Sequence, residues 1–236
     1  MFNSNEEEDI WGKMYVPHLD LAFKKGVLQG LGQIVSNVKV DDVFTEAVQR
    51  LLKVKAYEHA AQAVGTTKDV LQNLIGNAIE QGQGTEALGR AIREEFDGMA
   101  RVRGLRIART EMTDTINEAT QAALHAEGAQ AQEWSTVIDG RERDTHHEAN
   151  GQIVGINELF KVGGDSARYP GDDNLPPESR INCRCTILAA GLPEDRRREL
   201  GQDFLRAHGS LERNFMVDLR KAFLLQRDRI ISRLPA

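Results

Sequence analysis

The sequence predicts an α+β chain: a helical N-terminal half and C-terminal helices around a small, loop-rich mixed unit with short antiparallel strands. Three observations carry this. Apolar residues recur at steps of three and four up to about residue 126 and again after Pro193; alternating runs replace them from Gly128; and glycine and proline concentrate in "KVGGDSARYPGDDNLPPE". At 236 residues the chain can bury a core without covalent staples.

Phe44, Ala47, Leu51 and Val54 place an apolar face on a helix over 41–63. Thr66, three residues before Asp69, resembles a capping box that opens a new helix, with Gly82 and Gly84 ending it. Thr85 is expected to cap a short helix whose Leu88, Ile92 and Phe96 point inward. A longer helix from about Ala100 to Ala126 buries Leu105, Ala108, Met112, Ile116, Ala119 and Ala123. It leaves Arg106, Arg109, Thr113, Asn117 and Thr120 on a polar face that is expected to be wet. "EWSTVID" alternates as a strand does, with Asp139-Gly140 as the turn after it, and "GQIVGI" and "CRCTIL" are the other strand candidates. Two helices follow Pro193. The expected organisation is a helical region over 1–65, a mixed module over 66–190 and a basic helical segment over 191–236.

From Arg180 onward, twelve Lys and Arg face seven Asp and Glu, whereas the preceding residues carry eighteen against twenty-nine. A basic tail on an acidic body suits contact with nucleic acid or an acidic protein surface, and equally a solvated helix face. The opening "MFNSNEEEDIW" lacks the features of a secretory leader, so secretion is not expected, and no apolar run is long enough to span a bilayer.

Cys183 and Cys185 in "INCRC" are the two cysteines of the chain. A disulfide across i, i+2 is geometrically poor, because an extended segment holds the two Cα atoms roughly 6.5–7 Å apart. On a strand both sulfurs would face one side. A structural zinc takes four ligands, and "DGRERDTHHEANG" offers Asp139, Asp144, His146, His147 and Glu148. Buried thiols beside surface histidines are the plain alternative. A catalytic alternative uses His146, His147 and Glu111 for acid–base chemistry on a phosphodiester, or a cysteine activated by His146. No phosphate-cradling glycine loop or nucleophile elbow accompanies them, so an enzyme is not expected.

The order "IARTEMTDTINEATQAALHAEG", "EWSTVIDGRERDTHHEANGQIV" and "YPGDDNLPPESRINCRC" resembles the Mu F-like minor head protein family of tailed bacteriophages, the phage head morphogenesis proteins, over about 66–188. The motif positions match Arg109, Thr110 and Glu111; Asp139, His146 and Gly151; and Tyr169, Pro170, Gly171, Asn182, Cys183, Arg184 and Cys185. Asn150 stands where an aspartate is common, and His147 is an additional histidine. The resemblance implies a virion protein of the head interior or portal vertex that acts in capsid assembly, with DNA packaging or ejection as a further role and no established reaction. The portal, major capsid or scaffold protein is the expected partner, and viral DNA a second one through the arginine-rich tail and Arg101, Arg103, Arg106 and Arg109. Zinc is the expected cofactor, on Cys183, Cys185, His146 and Asp139, with His147 as the alternative nitrogen ligand. Arg109 or Glu111 is expected to reach the strand unit and orient it, with Tyr169, Asn182 and Arg184 as further structural or interaction residues. The C-terminal apolar positions Phe215, Leu219, Phe223, Leu224, Ile230 and Ile231 suit a portal groove, or packing back onto the N-terminal helices, which is favoured.

Overall fold

The computed structural model describes residues 3–34, 39–81, 83, 85–192 and 194–232. Along them run α1 (Ser4–Leu31), α2 (Val40–Val43), α3 (Glu46–Glu80), α4 (Thr85–Ala126), β1 (Ala131–Ser135), α5 (Asp144–Ala149), β2 (Ile153–Gly155), β3 (Phe160–Val162), β4 (Asp165–Ala167), α6 (Pro177–Arg180), β5 (Thr186–Ala189) and α7 (Glu194–Ile231). The architecture is α+β, as the sequence predicts. Two compact units divide the chain: Met1–His18, Arg50–Leu105 and Asn214–Ala236 form one, Leu19–Gln49 and Arg106–Arg213 the other.

The first unit is helical and built on rings. Trp11 meets Phe223 edge-on at 4.8 Å, and Tyr15 meets Phe215 in the same way at 4.8 Å. His18 stacks on Phe215, with its Nε2 3.1 Å from Asp218 Oδ2. Phe215, Leu219, Phe223 and Ile230 therefore pack back onto the N-terminal helix, the favoured expectation, with Leu224 and Ile231 half-buried.

Three local expectations fail here. Leu51 and Val54 are 69% and 55% exposed and Ala47 is exposed too, while Leu52, Ala56, Ala60, Ala63 and Val64 are buried. A narrow alanine seam that lets helices approach closely has won over the bulkier stripe beside it. Thr66 opens no helix, because α3 runs straight through it. Its hydroxyl donates to Gln62 O (2.6 Å) and that of Thr67 to Ala63 O (2.8 Å), bonds that leave the helix intact. The two helices expected over 85–126 are one, since a single Gly98 costs about 1 kcal/mol and buried Ile92, Phe96, Met99 and Ala100 outweigh it. The two expected after Pro193 are likewise one. Gly82, Gly84, Pro193 and the side chain of Thr85 lie outside the described residues.

The second unit is organised around Arg106–Ala126 of α4. Ala108, Met112, Ile116, Ala119 and Ala123 are buried as expected, but so are Thr113, Asn117 and Thr120, which corrects the wet face. α1 approaches α4 closely at Gly26 and Gly30, where a Cβ would lie 2.4 Å from Ile116 O and 2.6 Å from Ala123 Cβ. Thr120 Oγ1 donates to Gly26 O across this contact (3.1 Å).

The sheet has the order β2-β1-β5, antiparallel throughout, with Glu133 opposite Ile153 on one side and Leu188 on the other. β1 stops at Ser135 instead of reaching Asp139, because Asn150 Oδ1 takes the Thr136 N–H at 2.8 Å in place of a ladder partner. The hairpin β3–β4 and the short helices α5 and α6 were not expected from the sequence. Trp134, Phe160, Val162, Tyr169, Leu175, Cys183, Cys185 and Ile187 share one core cluster.

Candidate functional site

α5 turns His146 inward, to 1% exposure, and leaves His147 at the surface, its Nδ1 3.5 Å from Glu142 Oε1. Cys183 and Cys185 precede β5 and do not lie in it, which corrects the expected "CRCTIL" strand. Asn182 sets their direction: its φ of 60° is left-handed, a conformation asparagine tolerates better than most residues. Its N–H donates to Thr110 Oγ1 (3.1 Å), and Cys183 N–H reaches back to Arg180 O (3.2 Å). The guanidinium of Arg143 donates to Ile181 O, tying the start of α5 to this segment.

His146 Nδ1 consequently lies 3.3 Å from Cys185 Sγ and 3.7 Å from Cys183 Sγ. The three ligand atoms all fall within 4.8 Å of one another, and both cysteines are free thiols, 1% and 3% exposed. Thr136 completes the surroundings. Its hydroxyl donates to His146 O (2.7 Å), accepts from Trp134 Nε1 (3.1 Å) and lies 3.5 Å from Cys185 Sγ. The Trp134 ring meets the imidazole at right angles, 5.6 Å between centroids. Hydrogen bonding from Cys183, then from His146 and Thr136, favours the Cys185 thiolate and pulls its pKa well down. The Cys183 thiol is pushed up by its hydrogen bond with Cys185 and by burial. Chemically, the cluster offers two sulfurs and an imidazole nitrogen, which suit a thiophilic metal.

Asp139 stands apart from this group. Arg184 grips its carboxylate with two hydrogen bonds (2.6 and 2.8 Å), Arg141 adds another at 2.5 Å, and the carboxyl is held well below the usual range. The structure thus brings together Cys183, Cys185 and His146, and places Asp139 at the rim as the counter-charge of Arg184.

A buried polar lattice fixes the segment from the other side. Asn117 uses every hydrogen-bonding position it has: Nδ2 donates to Pro170 O (2.9 Å) and Cys185 O (3.0 Å), and Oδ1 accepts from Ile187 N–H (3.2 Å) and the Thr186 hydroxyl (2.9 Å). Thr113 Oγ1 donates to Cys183 O (2.7 Å) and meets His208 Nε2 (2.8 Å). Gly171, at φ +92°, presses on α4, since a Cβ there would lie 3.0 Å from Asp114 N. Buried Asp172 accepts from Arg168 N–H (2.7 Å), Arg168 Nε and Nη2 (3.0 and 2.8 Å) and Asn174 N–H (3.2 Å). Burial alone would raise its pKa, but these donors outweigh it and hold the carboxyl below the usual range. Tyr169 is buried beside them.

Of the pair in "IARTE", Arg109 reaches Glu212 on α7 (2.9 Å) and not the strands, while Glu111 is buried. Contacts to the strand-bearing segment are made by their neighbour Thr110 and by Thr113 and Asn117. Those residues, with Thr136 and Asp172, are what sequence reasoning missed. The available signal was a helix face of small uncharged polar residues, at 110, 113, 117 and 120, in place of the lysines and glutamates of a wet one. Asn150, read as a departure, uses its amide oxygen as the β1 stop. Among the arginines considered for DNA, Arg103 donates to Ala63 O (3.1 Å) and Thr67 Oγ1 (3.3 Å), Arg106 is exposed, and the Arg101 side chain lies outside the described residues.

Comparison with known proteins covers the same segment. An NAD(+)--arginine ADP-ribosyltransferase EFV of Enterococcus faecalis is 32% identical over 127 residues, 51% of this chain and 26% of that protein. The uncharacterized protein YqbB of Bacillus subtilis is 26% identical over 156 residues, 59% of this chain and 49% of that one. The chain thus spans about a quarter and about half of these curated relatives, and no solved structure matches it. Residues 69–188, which hold His146, both cysteines, the YPG turn and the Asn117 lattice, match the family described as Phage Mu protein F like protein, and the chain belongs to that family.

Proposed function

We propose that this chain is a minor head-morphogenesis protein of a tailed bacteriophage, residing in the head interior or at the portal vertex and binding portal, capsid or scaffold protein during head assembly. The family match over half of the chain carries this reading. It is supported by the way the motif residues are spent: Arg109 on Glu212, Arg184 on Asp139, Gly171 against α4 and Tyr169 in the core. Residues that a catalyst would present to its substrate are used here to build a rigid module. The module's partner contacts then fall to exposed side chains, with Ile138, Ile153 and Leu159 among the large apolar ones in the strand-bearing unit. The transferase name of the Enterococcus relative stays with that protein, of which this chain covers about a quarter.

Cross-linking of assembled particles, read by mass spectrometry, tests the reading. Cross-links from the module to the portal protein are expected, and exclusion of the chain from particles would defeat it. Contact with packaged DNA is a separate arm: binding that falls steeply with salt supports a role in packaging or ejection, and no retention of DNA at low salt removes it.

A further inference from the structure

We propose that Cys183, Cys185 and His146 bind one zinc ion as a structural clip, with a water molecule and not Asp139 in the fourth position. The reading is independent of any role in phage heads. It begins with spacing. A tetrahedral zinc with Zn–S of about 2.3 Å and Zn–N of about 2.0–2.1 Å sets nitrogen and sulfur about 3.6 Å apart, and two sulfurs about 3.8 Å apart. His146 Nδ1 lies 3.3 and 3.7 Å from the two sulfurs, and all three atoms fall within 4.8 Å. Both nitrogen–sulfur separations therefore already stand close to a tetrahedron's edge, with the two sulfurs within 4.8 Å of each other.

Charge agrees with spacing. On binding, the two thiols release their protons to solvent, and two thiolates, a neutral imidazole and Zn²⁺ sum to zero. A neutral unit is what a site with ligands 1–3% exposed can hold without a large desolvation cost. Asp139 would add a negative charge, and its oxygens are already engaged by Arg184 and Arg141.

The fourth position has its own space. A cavity of about 20 Å³ adjoins His146 and Cys185, lined also by Thr136, Glu142 and Asn182, which is room for one water among polar partners. With its sulfur donors set in the module's core cluster, the ion acts as a clip. It joins α5 to the start of β5, elements whose ligands His146 and Cys185 are 39 residues apart. Small loop-rich units gain much of their stability from such a cross-link.

The test uses the whole chain, expressed with zinc in the medium and desalted. Elemental analysis should find about one zinc per chain. Cobalt added to the apo chain should give the intense visible bands of a tetrahedral ion and a thiolate-to-cobalt charge-transfer band, a readout that needs no variant. In Cys185→Ser and His146→Gln the zinc retained after desalting should fall about tenfold or more, while Asp139→Asn retains the full amount. Removing zinc with a strong chelator should lower the thermal midpoint. Folded wild-type chain without zinc, both thiols reacting with Ellman's reagent and no cobalt bands, would overturn the proposal, as would full zinc retention in Cys183→Ser/Cys185→Ser. Loss of zinc in Asp139→Asn would overturn the assignment of the fourth position.

Discussion

In the helical unit the groups that meet are rings: Trp11 on Phe223, and Tyr15 and His18 on Phe215. In the strand-bearing unit rings also meet, Trp134 on Phe160 and on His146, but the segment around the cysteines is fixed by amides, hydroxyls and carboxylates, as at Asn117, Thr113 and Asp172. Apolar packing tolerates a volume-conserving swap, whereas a buried polar lattice accepts one arrangement and is costly when a partner is missing. A closely spaced group of side chains such as His146, Cys183 and Cys185 needs the second kind of support.

The contrast is broken most strongly at Asn117. Asn117→Ala leaves Ile187 N–H, Pro170 O and Cys185 O without their partner, and at about 1–3 kcal/mol for each unsatisfied group the loss should reach about 3 kcal/mol or more in urea unfolding. A loss below about 1 kcal/mol would show that water replaces the amide and that the lattice does not fix the unit.

Gly171→Ala comes next. It adds a Cβ 3.0 Å from Asp114 N at φ +92°, and the cost should exceed about 1 kcal/mol by the same measurement.

Acid probes the third point of the lattice. The Asp172 pKa is lowered in the folded chain, so the stability it contributes is complete above the unfolded carboxyl value of about 3.9 and is lost as pH falls through the folded value. Asp172→Asn should lower stability at neutral pH and flatten the fall on acidification. Denaturation midpoints that run parallel to wild type from neutral pH into the acid transition would contradict this.

The helical unit should yield less. Phe223→Leu keeps most of the apolar volume against Trp11 and should cost about 1 kcal/mol. A larger loss than at Gly171 would reverse the comparison. At the surface of the strand-bearing unit, Arg206→Gln, which removes a pair with Asp203, should leave the urea midpoint in place.

These contrasts also explain what could be read from the sequence. Ile116, Ala119 and Ala123 announce their burial because apolar periodicity is a property of neighbours in sequence, and the family motifs are legible because they are contiguous. The burial of Thr113 and Asn117 is not, since it depends on Pro170, Cys183 and Cys185, some 53 to 70 residues away. The three-atom cluster was legible as residue types, and His146 was distinguished from His147 only by the turn of α5. Asp139 was misplaced because its attraction to Arg184 spans 45 residues and competes with any ligand role. Leu51 and Val54 failed for a different reason: two apolar registers coexist on α3, and local pattern cannot rank them.

The bond from Ala189 N–H to Gln33 Oε1, at 2.6 Å, and the meeting of Thr113 with His208 set a schedule for the chain on the ribosome. Gln33 precedes the matched segment 69–188 and His208 follows it, so the strand-bearing unit draws on residues from both sides. Its closing edge meets a partner made 156 residues earlier, and its buried threonine waits for one made 95 residues later. The contacts of the unit can be complete only once translation has passed His208. An excised 69–188 fragment would stop short of that completion, which makes it the wrong piece to purify.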